Sequence, residues 1–131
     1  MDTAIKQIVV PHLRTLGFKG SLPDFHRPRG GAVDLLTFQF RRDGAAFVVE
    51  LGRVAASGFD FHGKHIPAAK AKSRYLKERH RLGADFRVNY GDHWFAFADR
   101  DPKEVAREIN RQLVQPELWQ FVGTLRALGA A

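Results

Sequence analysis

Apolar and polar residues alternate along two neighbouring stretches in the middle of the chain, residues 33–41 and 45–54. Such alternation predicts β-strands with one buried face. Asp43-Gly44 lies between the two stretches, and glycine tolerates the positive φ that a tight hairpin turn requires. The pattern therefore predicts a central antiparallel hairpin. Its buried face is expected to carry Leu36, Phe38, Phe40, Phe47, Val49 and Leu51.

Residues 3–16 place apolar side chains at helical spacing, which predicts an N-terminal amphipathic helix. Pro11 lies inside this stretch and lacks a backbone N–H, so we expect the helix to kink there or to split after Val10. Gly17 is expected to end the helix in a left-handed conformation. The apolar face of this helix consists of Ile5, Ile8, Val9, Leu13 and Leu16.

The segments on either side of the hairpin are less regular. Residues 18–29 predict an irregular edge strand, because Pro23 and Pro28 interrupt the run and proline cannot donate to a sheet. Residues 55–69 contain several turn-forming residues and predict a loop lying over the sheet.

Residues 68–81 are ambiguous. The alanine-rich first half favours a helix, whereas the part from Leu76 onward favours a strand, and we expect a mixture of the two. Residues 86–90 and 93–97 predict a second antiparallel pair of strands.

The clearest helix start is at Asp101, where aspartate caps the helix, Pro102 takes the first helical position and Glu104 completes a capping box. A last helix is predicted over residues 117–127. Together these elements predict a single α+β domain over residues 1–131. Its two layers are an antiparallel sheet of about five or six strands and N- and C-terminal helices packed on one face.

The formal net charge is +7. Nearly all of this excess falls in residues 62–81, where seven basic residues accompany the single acid Glu78. Concentrated positive charge favours acidic partners such as nucleic acid or another polyanion. A charged run is also often a solvated surface without a ligand, and the sequence leaves that alternative open. The predicted anion-binding residues are Lys70, Lys72, Arg74, Lys77, Arg79 and Arg81.

The composition disfavours several classes of protein. The chain has no cysteine, which excludes disulfides and thiolate metal sites. No apolar run approaches the roughly 20 residues that span a membrane. The first residues do not have the basic-then-apolar layout of a signal peptide, so we expect a cytoplasmic protein without membrane association. The sequence contains no cofactor-binding motif, and no cofactor is expected.

His62 and His65 are weak candidates for metal ligands, with Asp60 close by in sequence. Imidazole and carboxylate groups suit zinc or iron. Lys64 lies between the two histidines, however, and no structured ligand spacing such as His-Glu-x-x-His is present. A pair of surface histidines is therefore favoured over a metal site. No catalytic residue is predicted either, because the chain lacks a nucleophile motif such as Gly-x-Ser-x-Gly.

Glu50 is an acidic residue within the predicted hairpin, where it should face away from Phe47, Val49 and Leu51. If the face that carries it is covered, its carboxylate needs a partner, and Arg41 and Arg53 are the candidates.

Six short motifs follow one another in a characteristic order, ahead of the helix that begins near Asp101. They are Leu16-Gly17-Phe18-Lys19, Phe25-His26-Arg27, Leu36-Thr37-Phe38-Gln39, Phe47-Val48-Val49-Glu50-Leu51-Gly52, Arg81-Leu82-Gly83 and Asp92-His93-Trp94-Phe95. In this order they resemble the bacterial family described as domain of unknown function 4304. The chain departs from that family at Glu50, where the family pattern has asparagine, and in the region of Pro23. The resemblance implies an α+β domain with no assigned activity, and it supplies no catalytic residue.

Three functional hypotheses follow. The first is a bacterial binding module without catalysis whose partner is another protein, in an accessory or immunity-like role. The second is a nucleic-acid or polyanion binder that uses residues 62–81. An enzyme is the third and the least favoured. The sequence makes no prediction of oligomeric state.

Overall fold

The computed structural model describes residues 1–76, 79–83, 94–115 and 118–119. The chain begins with one continuous helical segment, made of α1 (Asp2–Ala4), π-helical turns (Ile5–Val9) and α2 (Val10–Thr15). In a regular helix the ring of Pro11 would clash with the carbonyl four residues earlier. Wider turns just before the proline avoid that clash, so the helix widens where we expected it to kink or split.

The end of this helix agrees with the prediction. Gly17 has a φ of 95°, which is the left-handed conformation. The Phe18 N–H donates to the Leu13 carbonyl across 2.9 Å, which satisfies a carbonyl in the last turn of the helix. The chain then reverses into the sheet.

Eight strands are described in the structure. They are β1 (Lys19–Ser21), β2 (Asp24–Arg29), β3 (Ala32–Phe40), β4 (Ala46–Ala55), β5 (Phe59–Phe61), β6 (Lys64–Ile66), β7 (His80–Arg81) and β8 (Phe95–Ala96). Six of them form one antiparallel sheet in the order β1-β2-β3-β4-β7, with β8 pairing a different part of β4. This sheet and the helices at both ends of the described chain confirm the predicted α+β fold.

The central hairpin forms in the predicted register. Leu36 lies opposite Leu51, Phe38 opposite Val49, and so on along β3 and β4. Gly44 has a φ of 71°, and the Ala45 N–H donates to Asp43 Oδ1 across 2.9 Å within the turn. The Asp43-Gly44 turn therefore pins the register of the two longest strands.

The helices cover one face of the sheet, which we call the core face. The π-helical turns pack directly against α3 (Pro102–Leu113), and residues of both enter the same hydrophobic cluster as the sheet. Phe47 is fully buried at the centre of this cluster, with its ring centroid 5.4 Å from that of Phe95 and 6.0 Å from that of Phe38. The hydrophobic alternation of the central hairpin thus places its aromatic side against the helices.

Helix α3 begins as predicted, with one difference. The Lys103 N–H donates to Asp101 Oδ1 across 3.0 Å, so Asp101 is the N-cap. Glu104 does not complete a capping box in the described contacts, and its carboxylate instead accepts a hydrogen bond from Arg107. Of the last predicted helix, residues 117–127, only Leu118 and Trp119 lie within the described residues, and both are buried.

Two irregular regions differ from the sequence-based expectation. Residues 18–29 form two strands rather than one, because the chain reverses at Leu22 and Pro23 between β1 and β2. Residues 55–69, expected to be a loop, contain the small hairpin β5–β6. The predicted strand over residues 86–90 lies outside the described residues, while β8 pairs with β4.

The ambiguous segment over residues 68–81 contains no α-helix in its described part. It forms two single 3₁₀ turns, Ala68–Lys70 and Ser73–Tyr75, followed by the two-residue strand β7. The expected helical first half is therefore wrong, and the expected strand near its end is confirmed. Within the described ranges, no helix combines the length and apolar character that a membrane span requires.

Candidate functional site

The basic segment lies across the sheet face opposite the helices. We call residues 68–76 and 79–81 the basic strap, and the sheet face beneath them the strap face. Ser73 is fully buried, and the 3₁₀ turn that contains it packs on β3 and β4. A Cβ built on Gly52 would overlap the Leu76 side chain, so Leu76 packs directly on the backbone of β4. The strap is thus docked on the sheet.

Beneath the strap, the cross-strand register places four polar residues in one row. Asp24 pairs with Thr37, Thr37 with Glu50, and Glu50 with Arg81, so their side chains share the strap face. The Thr37 hydroxyl donates to Asp24 Oδ1 across 2.8 Å. Two carboxylates therefore lie under a strap that is rich in positive charge.

One end of the strap is tied to Asp24. Lys72 Nζ lies 3.4 Å from Asp24 Oδ2, and the Lys72 side chain is 38% exposed. A pair this exposed contributes little to stability, because water screens the attraction. Lys72 is nevertheless held at the edge of the sheet, where its ammonium group is accessible.

The other end is tied to Glu50, which is 2% exposed. Arg79 Nη1 donates to Glu50 Oε2 across 2.9 Å, and Arg81 Nη2 lies 3.7 Å from Oε1. The predicted partners of Glu50 were wrong. Arg53 lies on the core face and pairs with Asp34, and Arg41 pairs with Asp43 in the turn. Glu50 faces away from the aromatic core as predicted, and its partners come from the strap.

Beside the strap, a cleft of about 350 Å³ opens between the β1–β2 turn and the strap. One wall is formed by residues 20–26 and the other by residues 69–72. Lys70 and Lys72 lie along the second wall, and His26 lies along the first. Lys19, which is exposed, pairs across β1 and β2 with His26. The cleft is therefore lined by the basic side chains of Lys70 and Lys72, by His26 and by the carboxylate of Asp24, with which Lys72 pairs.

At the opposite sheet edge, Arg81 also contacts an aromatic ring. Its guanidinium carbon lies 5.3 Å from the centroid of the Trp94 ring, within the range of a cation–π interaction. Trp94 is 39% exposed. The strap face thus has a lysine-bordered cleft at one edge and an arginine–tryptophan pair at the other.

The weak metal candidates do not converge on one site. His65 Nδ1 lies 3.2 Å from Asp60 Oδ1, and Nε2 lies 2.8 Å from the Ser57 carbonyl oxygen, so both ring nitrogens have partners within the β5–β6 region. The His62 ring packs edge-on against Phe61 at 4.2 Å. Within the part of the chain that the structure describes, no group of three or more His, Asp or Glu side chains could hold a metal.

Among the residues that the structure describes, two sites show shifted pKa values. Burial lowers the pKa of His80 in β7, because the apolar surroundings disfavour the imidazolium ion. In the β3–β4 turn, hydrogen bonding from Arg41 holds the pKa of Asp43 below its ordinary value, and the same bond raises the pKa of Arg41. The second shift occurs at an exposed turn, so it carries little weight for a binding site.

The structure brings three of the six predicted anion-binding residues onto sheet carboxylates, namely Lys72, Arg79 and Arg81. Lys70 is exposed at the cleft. The side chain of Arg74 and the whole of Lys77 lie outside what the structure describes. Sequence reasoning did not identify Asp24 as part of this region. The only sequence feature that points to Asp24 is the alternation of side chains along β2. That alternation places Asp24 beside Glu50 only when the pairing of Asp24 with Thr37 is known.

The family comparison covers both the cleft and the strap. Residues 9–122 match the family model described as Domain of unknown function (DUF4304). The chain belongs to this family. The match spans most of the sequence and confirms the resemblance inferred from the six motifs. No curated protein matches the chain, and no solved structure does. For this member of the DUF4304 family, function must therefore be argued from the geometry of its own residues.

Proposed function

We propose that this protein is a non-catalytic binding module that recognises an acidic segment of another protein at the cleft beside the basic strap. The observation that carries this proposal is the cleft of about 350 Å³, with Lys70 and Lys72 along one wall. Its volume falls in the range of sites that accept small ligands or a few side chains, roughly 300–1,000 Å³.

The charges at the cleft favour an acidic occupant. Lys70 is exposed, and it makes no ion pair among the described residues. Lys72 is held only by a partly exposed pair with Asp24, which a carboxylate from a partner can replace at small cost. Lys19 and the half-buried His26 add positive or protonatable groups nearby. Complementary charge of this kind speeds encounter and selects the partner.

The arrangement of the strap favours a protein partner over a nucleic acid. A protein that follows a phosphate backbone presents a continuous positive groove. Here Arg79 and Arg81 turn toward the buried Glu50, and Lys72 turns toward Asp24. Among the described residues of the strap, the positive charge is therefore divided between sheet carboxylates and one local cleft.

One observation favours nucleic acid as the second candidate. The Trp94 ring is 39% exposed and lies beside the guanidinium group of Arg81. An exposed aromatic ring next to a cation is a platform on which a base can stack. The first experiment must therefore separate the two classes of partner.

The biological setting that we propose is the bacterial cytoplasm, in an accessory or immunity-like role. A binding role fits the location of the candidate residues on the sheet face away from the core, where substitutions leave packing against the helices unchanged.

The test is fluorescence anisotropy with three labelled probes. The first is a peptide of about ten residues rich in aspartate and glutamate. In the second, asparagine and glutamine replace those acidic residues. The third is a single-stranded oligonucleotide with the same net charge as the acidic peptide. We expect the acidic peptide to bind and the amide peptide not to bind. The oligonucleotide should bind more weakly than the acidic peptide at every salt concentration.

The matched variants are Lys70→Glu at the cleft and Lys103→Glu on α3, where Lys103 is also exposed. Lys70→Glu should weaken binding of the acidic peptide by about ten-fold or more, and Lys103→Glu should leave it unchanged. Tighter binding of the oligonucleotide, lost in Trp94→Ala, would replace the proposal with the nucleic-acid candidate. Equal effects of the two lysine variants would show that binding follows net charge and would exclude the cleft.

A further inference from the structure

A second charged cluster lies on the core face, at the end of the sheet near the β2–β3 turn. Arg27, Asp34 and Arg53 are cross-strand neighbours on β2, β3 and β4. Asp34 is fully buried. Arg27 donates to Asp34 Oδ2 from Nη2 across 2.6 Å and from Nε across 3.1 Å, and Arg53 Nε donates to Oδ1 across 2.6 Å.

Arg27 and Arg53 are fixed in place by further contacts. Arg27 Nη1 donates to the Leu16 carbonyl, and its guanidinium carbon lies 4.6 Å from the ring centroids of both Phe18 and Trp119. Arg53 Nη2 donates to the Trp119 carbonyl across 3.3 Å. The two guanidinium groups are 14% and 13% exposed as side chains, so they are rigid and only partly solvated.

Arg29 brings a third guanidinium group to the same carboxylate without a hydrogen bond. Its Nη1 lies 3.6 Å from Asp34 Oδ2, which already accepts two bonds from Arg27. This is the only polar contact of the Arg29 side chain within the described ranges, and that side chain is 50% exposed. Three guanidinium groups thus surround one carboxylate, which leaves an excess of two positive charges.

The next row of the sheet carries small side chains beside these groups. Arg29 pairs with Ala32, and Ala32 with Ala55, so two small side chains occupy the core face next to the charged row. Both alanines are partly exposed. We call the site formed by Arg27, Arg29, Arg53 and the two alanines the arginine shelf. The shelf therefore combines two small, partly exposed side chains with Arg29 in the same row of the sheet and with Arg27 and Arg53 in the neighbouring row.

We propose that the arginine shelf binds a phosphate group, either as inorganic phosphate or as the phosphate monoester of a small molecule. A phosphate monoester carries a charge of about −1.5 to −2 near neutral pH, which matches the excess of two positive charges. The planar guanidinium group donates two parallel hydrogen bonds to phosphate oxygens. Arg29 is the principal contact, because its side chain is half exposed and its guanidinium group makes no hydrogen bond to Asp34. This site is separate from the cleft, which lies on the opposite face of the sheet.

Trp119 supplies a reporter for the test, because its ring contacts Arg27. The chain contains two tryptophans, so Trp94→Phe leaves Trp119 as the only one. Titration with sodium phosphate at about pH 7.5, with ionic strength held constant by sodium chloride, should change the Trp119 emission in a saturable manner. Isothermal titration calorimetry on the unsubstituted chain measures the same binding independently of the reporter variant.

The matched variants are Arg29→Gln at the shelf and Arg42→Gln in the exposed β3–β4 turn. Arg29→Gln should weaken phosphate binding by about ten-fold or more, the effect of losing one charge-assisted hydrogen bond. Arg42→Gln should leave it unchanged. Unaltered binding in Arg29→Gln, or a response to phosphate no larger than to chloride, would overturn the proposal.

A second titration with methyl phosphate distinguishes the two sources of the group. Binding of both ligands supports a phosphate monoester as the natural occupant, and binding of inorganic phosphate alone supports the free anion. Binding of neither excludes a phosphate site.

Discussion

The substitution Asp34→Asn tests whether the buried carboxylate holds the end of the sheet together. Asp34 is fully buried on β3, and it accepts hydrogen bonds from Arg27 on β2 and Arg53 on β4. Asparagine has nearly the same shape, so packing is preserved. The change removes the negative charge and replaces one acceptor oxygen with a donor amide, which then faces a guanidinium group.

The structure sets the size of the expected effect. The asparagine side-chain oxygen can still accept a hydrogen bond from one of the two arginines. The guanidinium group of the other arginine is then left largely buried without an acceptor. Removing one partner of a buried ion pair typically costs roughly 3–5 kcal/mol. Domains of this size unfold with a free energy of about 5–15 kcal/mol, so about a fifth or more of the stability should be lost. The melting temperature should fall by about 10–25 °C.

Urea unfolding followed by circular dichroism measures this loss, and an unchanged slope with denaturant shows that the unfolding reaction is the same. The matched control is Asp43→Asn. Asp43 also accepts hydrogen bonds from one arginine, Arg41, but both side chains are about half exposed. The unfolding midpoint of the control should not change, because solvent screens this pair.

A third variant tests the charge argument within the cluster. In the Asp34→Asn background, three guanidinium groups face one another without a carboxylate, so Arg29→Gln should recover part of the lost stability. A loss below about 1 kcal/mol for Asp34→Asn, the size expected of an exposed pair, would refute the reasoning. The reasoning would also be refuted if Arg29→Gln lowered the stability of the Asp34→Asn variant further.

Two further predictions concern strand β7 and the packing of the strap on the sheet. Burial lowers the pKa of His80 below its ordinary value of 6.5, so the unfolded chain takes up a proton first as the pH falls below that value. The free energy of unfolding should therefore decrease as the pH falls from about 7 through 6.5, and His80→Gln should remove that part of the slope in urea titrations at each pH. Gly52→Ala places a methyl group against Leu76 and should cost about 1–3 kcal/mol by overpacking. Adding Leu76→Ala should reverse part of this cost in a double-mutant cycle, and strictly additive losses would show that the strap does not pack on Gly52 as described.

Most of the regular elements could be predicted because their signals are local. Alternation over residues 33–41 and 45–54 determines which side of each strand is apolar, and Asp43-Gly44 determines where the strands turn. The orientation of Glu50 away from the aromatic core followed from the same alternation. These features depend on interactions between residues that are close in sequence.

The irregular segments were predicted less well, because their local signals conflict. The alanines in residues 68–71 favour a helix. Ser73 of the same segment is buried, however, and Leu76 packs on Gly52 of the sheet, and this packing imposes 3₁₀ turns with extended connections. Ordinary residues differ in intrinsic helix propensity by only a few tenths of a kcal/mol each, roughly speaking. The tertiary contacts of the segment therefore outweighed the helix propensity of its alanines.

Sequence alone therefore determined the α+β class, the central hairpin, the helix start at Asp101 and the concentration of charge in residues 62–81. Tertiary structure alone decided which charges meet. Asp34 contacts arginines on two other strands, and Glu50 contacts arginines from the strap about 30 residues away. An ion pair depends on strand register and on the segment that covers each sheet face. Neither is encoded in the spacing of neighbouring residues, because long-range packing sets both.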